Sequence, residues 1–567
     1  MIKKHFDLVE NNRGKWNLAT VLLTVILYAP ALTAVAAPSS DNEVRFEQSR
    51  IIHERQTKEL EKPYIGIDTD IYSDKQTETD TAEVAGPAFQ IKRIELEGTD
   101  RTFCGLDKII KAQEGKRMTL KDIRNLAEQL TRQVKQHGFI TSRIVVPKQN
   151  IKAGIVRLTF IPGLIRAFLY AEGSEKAYYK NAFSTGPGEI LNIRDLEQGL
   201  EQIRRVQNQD VKIKIVPRDE GRSSDIMMSF SQGQAWSIVI MADNTGDKAS
   251  GKMHERMNLG WDNLLGINDT AAFGIVRNLW HEEQYKKYRQ KYFSYSVPYQ
   301  KYLFSYRYSD STTSQPMDFL WTKYPYTSHT QSRELRVEKL IKRTGDSKLR
   351  AQAAVTTYRR RNLIADSELN VQRLDKTNLS YGLLYDRYYA KGQLNGAIYL
   401  SKGIPWFGAQ KENSLAEAPK TRSYILSSDI AFSNWQKLRE RPLQYRMLLH
   451  AQQSAHELYS VDEISIGGLY TVRGFTGEHS IAGKSGWYMQ NEWRLYGGKI
   501  QPFAGVDIGA VYGSNDTASK HMLSGAVIGI RGGSKYFYSF SAATPLIRPA
   551  EWQKDHIVIY GEAGFNF

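Results

Sequence analysis

The sequence predicts small α+β modules followed by an all-β transmembrane barrel of 16 antiparallel strands. Three observations carry that prediction. From Ala235 to Phe567, apolar and polar residues alternate over sixteen short runs, the period of two that a strand with one apolar and one wet face requires. Tight turns such as Tyr299-Gln300, Thr344-Gly345-Asp346 and Gly532-Gly533 alternate with long connections, which is the pattern of an outer-membrane barrel. No run of ~18 apolar residues occurs, which excludes helical spans, while 32 Tyr, 10 Trp and 21 Phe suffice for two aromatic girdles.

The chain has 567 residues, too many for one ordinary domain. Lys3, Lys4, Arg13 and Lys15 precede an apolar run from Leu18 to Ala29, and Ala34-Val35-Ala36 comes after it. A positive region, a short apolar core and a small-x-small site read as a signal peptide over 1–36. Four basic and two acidic residues fall in that stretch, so a mature chain from about Ala37 keeps +14 of the formal +16. In an exported chain this excess belongs to a wet lumen and loops, and no nucleic-acid partner is implied. The single cysteine, Cys104, excludes an internal disulfide.

Residues 39–61 are rich in Glu, Arg, Gln and Lys and contain neither Pro nor Gly. Their apolar stripe, Val44, Ile51, Ile52 and Leu60, is too thin for deep packing in a core. Two settings fit such a helix, bulk solvent or a water-filled cavity. The expectation is a plug helix, tied to the first folded module by a flexible acidic linker over 62–87.

Two similar β-α-α-β-β modules come next, at 88–162 and 163–231. In the first, Ile123, Leu126, Leu130 and Val134 recur at helical spacing, and Gly138 stops the helix. In the second, a strand near Leu164–Tyr170 precedes a short helix expected over Glu175–Phe183. A longer helix carries Ile193, Leu196, Leu200 and Ile203.

The barrel occupies 235–567. The modules precede it on the entry side, so its short turns are periplasmic and its long connections, Ser311–Ser328, Lys402–Lys420 and Gln453–Ser485, lie outside. On the last run Ile557, Ile559, Ala563, Phe565 and Phe567 share the lipid face. On the run after the longest loop Trp487, Met489, Trp493 and Leu495 face lipid, which turns Glu492 inward. On the next, Ala504, Val506, Ile508 and Ala510 turn Asp507 inward. Two lumenal carboxylates on adjacent strands need a cation, and Arg473 in the 453–485 loop is the candidate. Its planar fork holds carboxylates bidentately and keeps its proton.

Here the chain resembles a known family. Val472-Arg473-Gly474-Phe475, followed by Phe503-Ala504-Gly505-Val506-Asp507-Ile508-Gly509, matches the VRG[FY] and F-x-G-x-D-x-G motifs of TpsB outer-membrane transporters of two-partner secretion, relatives of the BamA-type assembly proteins. The modules resemble POTRA domains, with Gly138-Phe139-Ile140 and Asn192-Ile193-Arg194-Asp195 at family positions. The chain departs at Arg205-Val206-Gln207-Asn208, where many members carry a Leu-Pro-Ser type helix end. The resemblance implies a loop lock of Val472, Arg473, Gly474 and Phe475 against Asp507, Glu492, Phe503, Gly505 and Gly509. It also implies one TpsA-type exoprotein cargo (adhesin, haemolysin or contact-dependent inhibition toxin), contact with outer-membrane lipid, and insertion by the barrel-assembly machinery. An assembly factor for other barrels is the alternative, disfavoured by having only two POTRA modules and a plug helix.

Other constellations lead nowhere. Gly483-Lys484-Ser485 lacks the glycine spacing and strand–loop–helix setting of a phosphate loop. His281-Glu282-Glu283 has no second histidine at zincin spacing, so no metal is expected. No nucleophile and base pair up, and neither enzymatic activity nor a cofactor is indicated.

Overall fold

A computed structural model describes residues 40–62, 87–100, 103–207, 209–280, 284–319, 322–412, 414–415, 418–476, 479–513, 521–552 and 557–567. The expected signal peptide and residues 63–86 of the expected linker lie outside the described residues. Helix α1, Ser40–Glu61, has 22 residues. At 1.5 Å per residue it is ~33 Å long, about the thickness of a membrane's hydrocarbon core.

The first module contains β1 (Phe89–Gln90), β2 (Arg93–Glu97), α2 (Leu106–Lys111), β3 (Arg117–Met118), α3 (Leu120–Gln136), β4 (Arg143–Val145) and β5 (Ile155–Ile161). Thr119 starts α3 with a capping box: its hydroxyl accepts the Asp122 N–H at 3.2 Å, and the Asp122 carboxylate accepts the Thr119 N–H at 2.8 Å. This sets the register that lays Ile123, Leu126, Leu130 and Val134 on the sheet β2-β5-β4, against Ile94, Val156 and Leu158. The second module contains β6 (Leu164–Tyr170), α4 (Ile193–Arg204), β7 (Gln209–Arg218) and β8 (Ser223–Gln232). Leu196, Leu200 and Ile203 of α4 pack over Ile226, Met228 and Phe230.

One expected helix is corrected. Glu175–Phe183 runs as turns and irregular chain. Its backbone groups find partners outside the segment: the Tyr170 hydroxyl donates to the Ala177 carbonyl at 2.6 Å, and Asn268 donates to the Tyr178 carbonyl at 2.6 Å. Tyr179 and Phe183 meanwhile pack on Phe168 with ring centroids 5.4 and 5.1 Å away. Aromatic packing and tertiary hydrogen bonds override a weak helical preference.

The barrel opens with β9 (Trp236–Asp243), β10 (His254–Asp262), β11 (Thr270–Asn278), β12 (Lys287–Tyr299), β13 (Tyr302–Phe319), β14 (Thr322–Arg343) and β15 (Ser347–Ile364). A two-residue extension, β16 (Ser367–Glu368), precedes β17 (Leu374–Tyr389), β18 (Gly392–Gly403), β19 (Tyr424–Leu438) and β20 (Arg441–Gln453). Within the next loop, β21 (Ile464–Ile466) and β22 (Ile481–Gly483) pair with each other. Then come β23 (Ser485–Leu495), β24 (Ile500–Tyr512), β25 (Met522–Gly533), β26 (Tyr536–Ile547) and β27 (Val558–Asn566). Apart from the short β16, β21 and β22, sixteen antiparallel strands form a closed barrel among the described residues, and β27 pairs back onto β9 with Phe565 opposite Ile240. Ile559, Phe565, Trp493 and Val506 are exposed on the outer face, whereas Tyr560, Glu492 and Asp507 are buried toward the lumen.

A second correction concerns Ser311–Ser328. Except for residues 320–321, outside the described set, this stretch continues β13 and β14 as one long hairpin, with Thr312 opposite His329 and Pro316 opposite Pro325. Above the membrane both faces are wet, so the apolar alternation that marks a strand disappears while the ladder persists. The Thr-rich composition still favours extended backbone.

Helix α4 docks the second module on the barrel base. Arg343 reaches Glu201 at 2.5 Å and Glu197 at 3.2 Å, and Lys348 reaches Glu201 at 2.8 Å. Arg205, at the position that departs from the family pattern, donates to the Ser296 hydroxyl at 2.6 Å and the Asn268 carbonyl at 2.7 Å. The charges continue inward: Lys348 to Asp386 at 3.8 Å, Asp386 to Arg350 at 3.0 Å, Arg350 to Glu59 of α1 at 2.9 Å. Burial pushes the Glu201 carboxyl up, but Lys348 and Arg343 outweigh it and hold its pKa down to about 2, from an ordinary 4.5. A depressed carboxyl pKa stabilises the docked state fully above about pH 4.5 and loses that contribution as pH falls toward 2. Protease sensitivity of the module–barrel junction should therefore stay constant from pH 8 to pH 5 and rise below about pH 4.5. Glu201→Gln should show raised sensitivity already at neutral pH.

Candidate functional site: the occupied barrel lumen

The loop between β20 and β23 turns back into the barrel rather than standing outside it. Its apolar underside does this. Val472, Phe475, Ile464, Ile466 and Ile481 bury against Tyr488, Val511 and Leu523 of the wall. Burial of this kind contributes ~1.5–3 kcal/mol per large side chain at most, and it acts together with the charged contacts of Arg473.

Arg473 then enters the wall. Its Nε and Nη2 donate to the two carboxylate oxygens of Asp507 at 2.7 and 2.9 Å, and its backbone N–H donates to the same carboxylate at 3.0 Å. Its Nη1 donates to Glu492 at 2.8 Å. All three side chains are buried. The spacing of the 503–509 motif becomes legible in this contact. Phe503 lies beneath the Arg531 guanidinium, 4.4 Å from ring centroid to Cζ. A Cβ on Gly505 would stand 2.8 Å from Arg473 Nη2, and one on Gly509 would stand 3.1 Å from the Ile466 side chain of the loop. Asp507 receives the arginine, and the glycines on either side leave room for the guanidinium and the loop. Gly474 donates its N–H to the Tyr560 hydroxyl at 3.3 Å, which in turn donates to the Phe475 carbonyl at 2.6 Å.

The acids are not equivalent. Glu492 also accepts from Arg494 at 2.8 Å and Arg531 at 3.1 Å, with Arg446 3.9 Å away. Removing Arg473 therefore leaves Glu492 neutralised. Asp507 keeps only weaker help, such as the Asn491 N–H at 3.3 Å. Sequence reasoning brought together Arg473, Asp507 and Glu492 but assigned no part in the contact to Tyr560, Arg494 or Arg531. Lumen-facing parity on their strands was the available signal.

Helix α1 lies inside the same lumen, its N-terminus toward the outer end and its C-terminus toward the periplasm. The order of its partners shows this: Asp41 meets Arg360 at 2.5 Å, Glu43 meets Ser250 at 3.3 Å, Glu47 meets Gln290 at 3.1 Å, and Glu59 meets Arg350 at 2.9 Å. Midway, Arg55 pairs with Asp429, and Gln56 donates to the Leu449 carbonyl at 2.7 Å. The helix also grips the loop: Arg45 meets Glu463 at 2.5 Å, and Tyr470 sits between Phe46 and His53 with ring centroids 5.1 and 5.4 Å away. A cavity of about 780 Å³, lined by Glu47, Arg50, Glu54 and Arg307 among others, remains beside it. The polar face that argued against core packing is thus matched by a polar wall.

A closed barrel whose lumen holds a polar helix, with α+β modules docked at its periplasmic mouth, is an outer-membrane transporter. The haemolysin secretion/activation protein family ShlB/FhaC/HecB matches residues 222–532, a POTRA domain matches 164–217, and a ShlB-type POTRA domain matches 89–163. The chain belongs to that family, and it is an outer-membrane transporter of two-partner secretion with periplasmic POTRA domains. The outer membrane transporter CdiB-2 of Burkholderia pseudomallei (strain 1026b) is 27% identical to it over 574 residues, covering 95% of this chain and 97% of its own. The hemolysin transporter protein HpmB of Proteus mirabilis is 27% identical over 401 residues, covering 69% and 70%. The solved structure of CdiB from Escherichia coli superposes with a TM-score of 0.83 at 24% identity, covering 94% of this chain and all of that one, and so shares the fold.

Removing one partner of a buried pair costs about 3–5 kcal/mol, and less where water screens the charge. Arg473→Ala and Asp507→Ala should each expose the 454–484 loop to external protease while leaving the barrel heat-modifiable on gels. The double variant should be little worse than either single one, since the two residues act as a unit. Strictly additive exposure would mean that they act separately.

Proposed function

We propose that this transporter carries one large TpsA-type exoprotein outward, unfolded, through the lumen that α1 occupies. The observation that carries this reading is the polar character of the hydrogen bonds and ion pairs that join α1 to the wall. Such contacts exchange for water at little net cost, so the helix is a stopper that can leave. Residues 62–87, about 25 residues at ~3.3 Å each, would span ~80 Å when extended, enough to let the helix withdraw. The cargo engages the POTRA pair in the periplasm by adding a strand to an exposed sheet edge, where backbone pairing gives affinity and side-chain pockets give selectivity. It then passes outward and folds at the surface, which makes the transfer irreversible without nucleotide. The 453–485 loop, locked by Arg473 on Asp507 and Glu492, shapes the conduit and stays in place. The barrel's contact with outer-membrane lipid and its insertion by the barrel-assembly machinery belong to the same reading.

Deleting Ser40–Glu61 should raise single-channel conductance in planar bilayers, because a cylinder ~10–12 Å across leaves the lumen. Unchanged conductance would contradict a stopper. Removing residues 88–162 should abolish export of the cognate exoprotein while the barrel stays heat-modifiable. Continued export would contradict recognition by the first module.

A further inference from the structure

The outer wall of the barrel carries a cationic patch that transport does not explain. On β12 the even residues face the lumen: Tyr288 stacks on His254, and Gln290 reaches Glu47 of α1. The odd residues therefore face outward. Counted from the outer end they read Lys287, Arg289, Lys291, then Phe293, Tyr295, Val297 and Tyr299. The three cations are exposed, and among the described residues none of them is held in an ion pair. The aromatic and apolar part below is the lipid-facing wall, continued on β11 by Phe273, whose ring centroid lies 4.8 Å from that of Phe293.

The cross-strand register concentrates the charge. Arg289 lies directly opposite Arg277 of β11, and Lys291 lies opposite Ile275. Like charges directly opposite one another on a sheet face are destabilising unless an anion lies between them. Glu255 partly answers Arg277, at 3.0 Å, and Asp310 stands opposite Lys291 while accepting from Gln331 at 2.7 Å. The patch remains cationic. On the far side of β12, the uncharged Thr312 lies opposite Arg289 and Ser314 opposite Lys287.

We propose that this patch binds the phosphorylated glycolipid of the outer leaflet, with Lys287, Arg289, Lys291 and Arg277 on its phosphates and the Phe273–Phe293 face against its acyl chains. Position selects the occupant. The cations begin where the lipid-facing wall ends, on the extracellular side, at the height of a headgroup. Phosphate suits them because Arg and Lys make short charge-assisted hydrogen bonds to its oxygens. The apolar strip directly below fits an amphiphile rather than a soluble anion or a protein. A bound glycolipid would relieve the Arg277–Arg289 repulsion and moor the β11–β12 side of the barrel.

The test uses the full-length protein in detergent, with a purified bisphosphorylated lipid A-type glycolipid as probe and native mass spectrometry as readout. The wild type should retain the glycolipid. The Lys287→Gln/Arg289→Gln/Lys291→Gln variant should retain at least about ten-fold less, given the contribution of each cation near an anionic surface. Its folding is checked by heat-modifiability. Should it fail to fold, the wild type alone decides, because enzymatically dephosphorylated glycolipid should be retained at least about ten-fold less than the intact probe. Equal retention by wild type and a folded variant, or of the two glycolipid forms by the wild type, would overturn the proposal. So would full displacement by equimolar phosphatidylglycerol, which would make the site one for any anionic lipid.

Discussion

Arg473 brings a full positive charge into a barrel wall, and the placement of the loop that carries it depends on how that charge is met. Asp507 takes it bidentately, and Glu492 accepts from it while also accepting from Arg494 and Arg531. Because the guanidinium is planar and its donors fixed in direction, meeting it this way sets the position of the Val472–Phe475 backbone. That position in turn places Tyr470 where Phe46 and His53 of α1 close around it. The ion pair thus orders the loop, and the loop supplies one side of the helix's berth.

Loop and helix are held by different forces. The loop combines buried charge with an apolar underside, Val472, Phe475, Ile464 and Ile466, whose exposure to water would be costly. The helix has no comparable apolar face. Its contacts with Arg360, Ser250, Gln290, Asp429 and Arg350 are all polar, and water can replace each one. In the proposed passage the loop stays in the lumen and the helix leaves it. The charge series from Glu201 through Lys348, Asp386 and Arg350 to Glu59 also places docking of the second POTRA domain in contact with the inner end of that helix.

Much of this was legible in the sequence because a barrel in lipid enforces alternation. The parity that turned Glu492 and Asp507 inward is the one observed, and the Gly505 and Gly509 positions have steric reasons visible only in three dimensions. Alternation failed as a guide where its cause was missing. Beyond the membrane, Ser311–Ser328 pairs as strand without an apolar face. Glu175–Phe183 is shaped by aromatic neighbours distant in sequence. The six-residue helix Leu106–Lys111 is too short to give a periodic signal. Arg205 looked like a departure from the family's helix end, and its role in docking α4 depends on carbonyl and hydroxyl groups of β12 and the β10–β11 turn that no linear pattern reveals.

The central claim is that α1 must leave the lumen for cargo to pass. It is tested most directly by tethering the helix to the wall at a contact it already makes. In a Cys104→Ser background, Gln56→Cys and Asp429→Cys, at positions whose native side chains hydrogen-bond at 3.4 Å, can be joined by a short, reducible bis-thiol cross-linker, and exoprotein export monitored in intact cells before and after reduction. Export should stop on cross-linking and recover when the tether is cleaved, while either single-cysteine control exports throughout. Undiminished export through a fully cross-linked barrel would contradict the account.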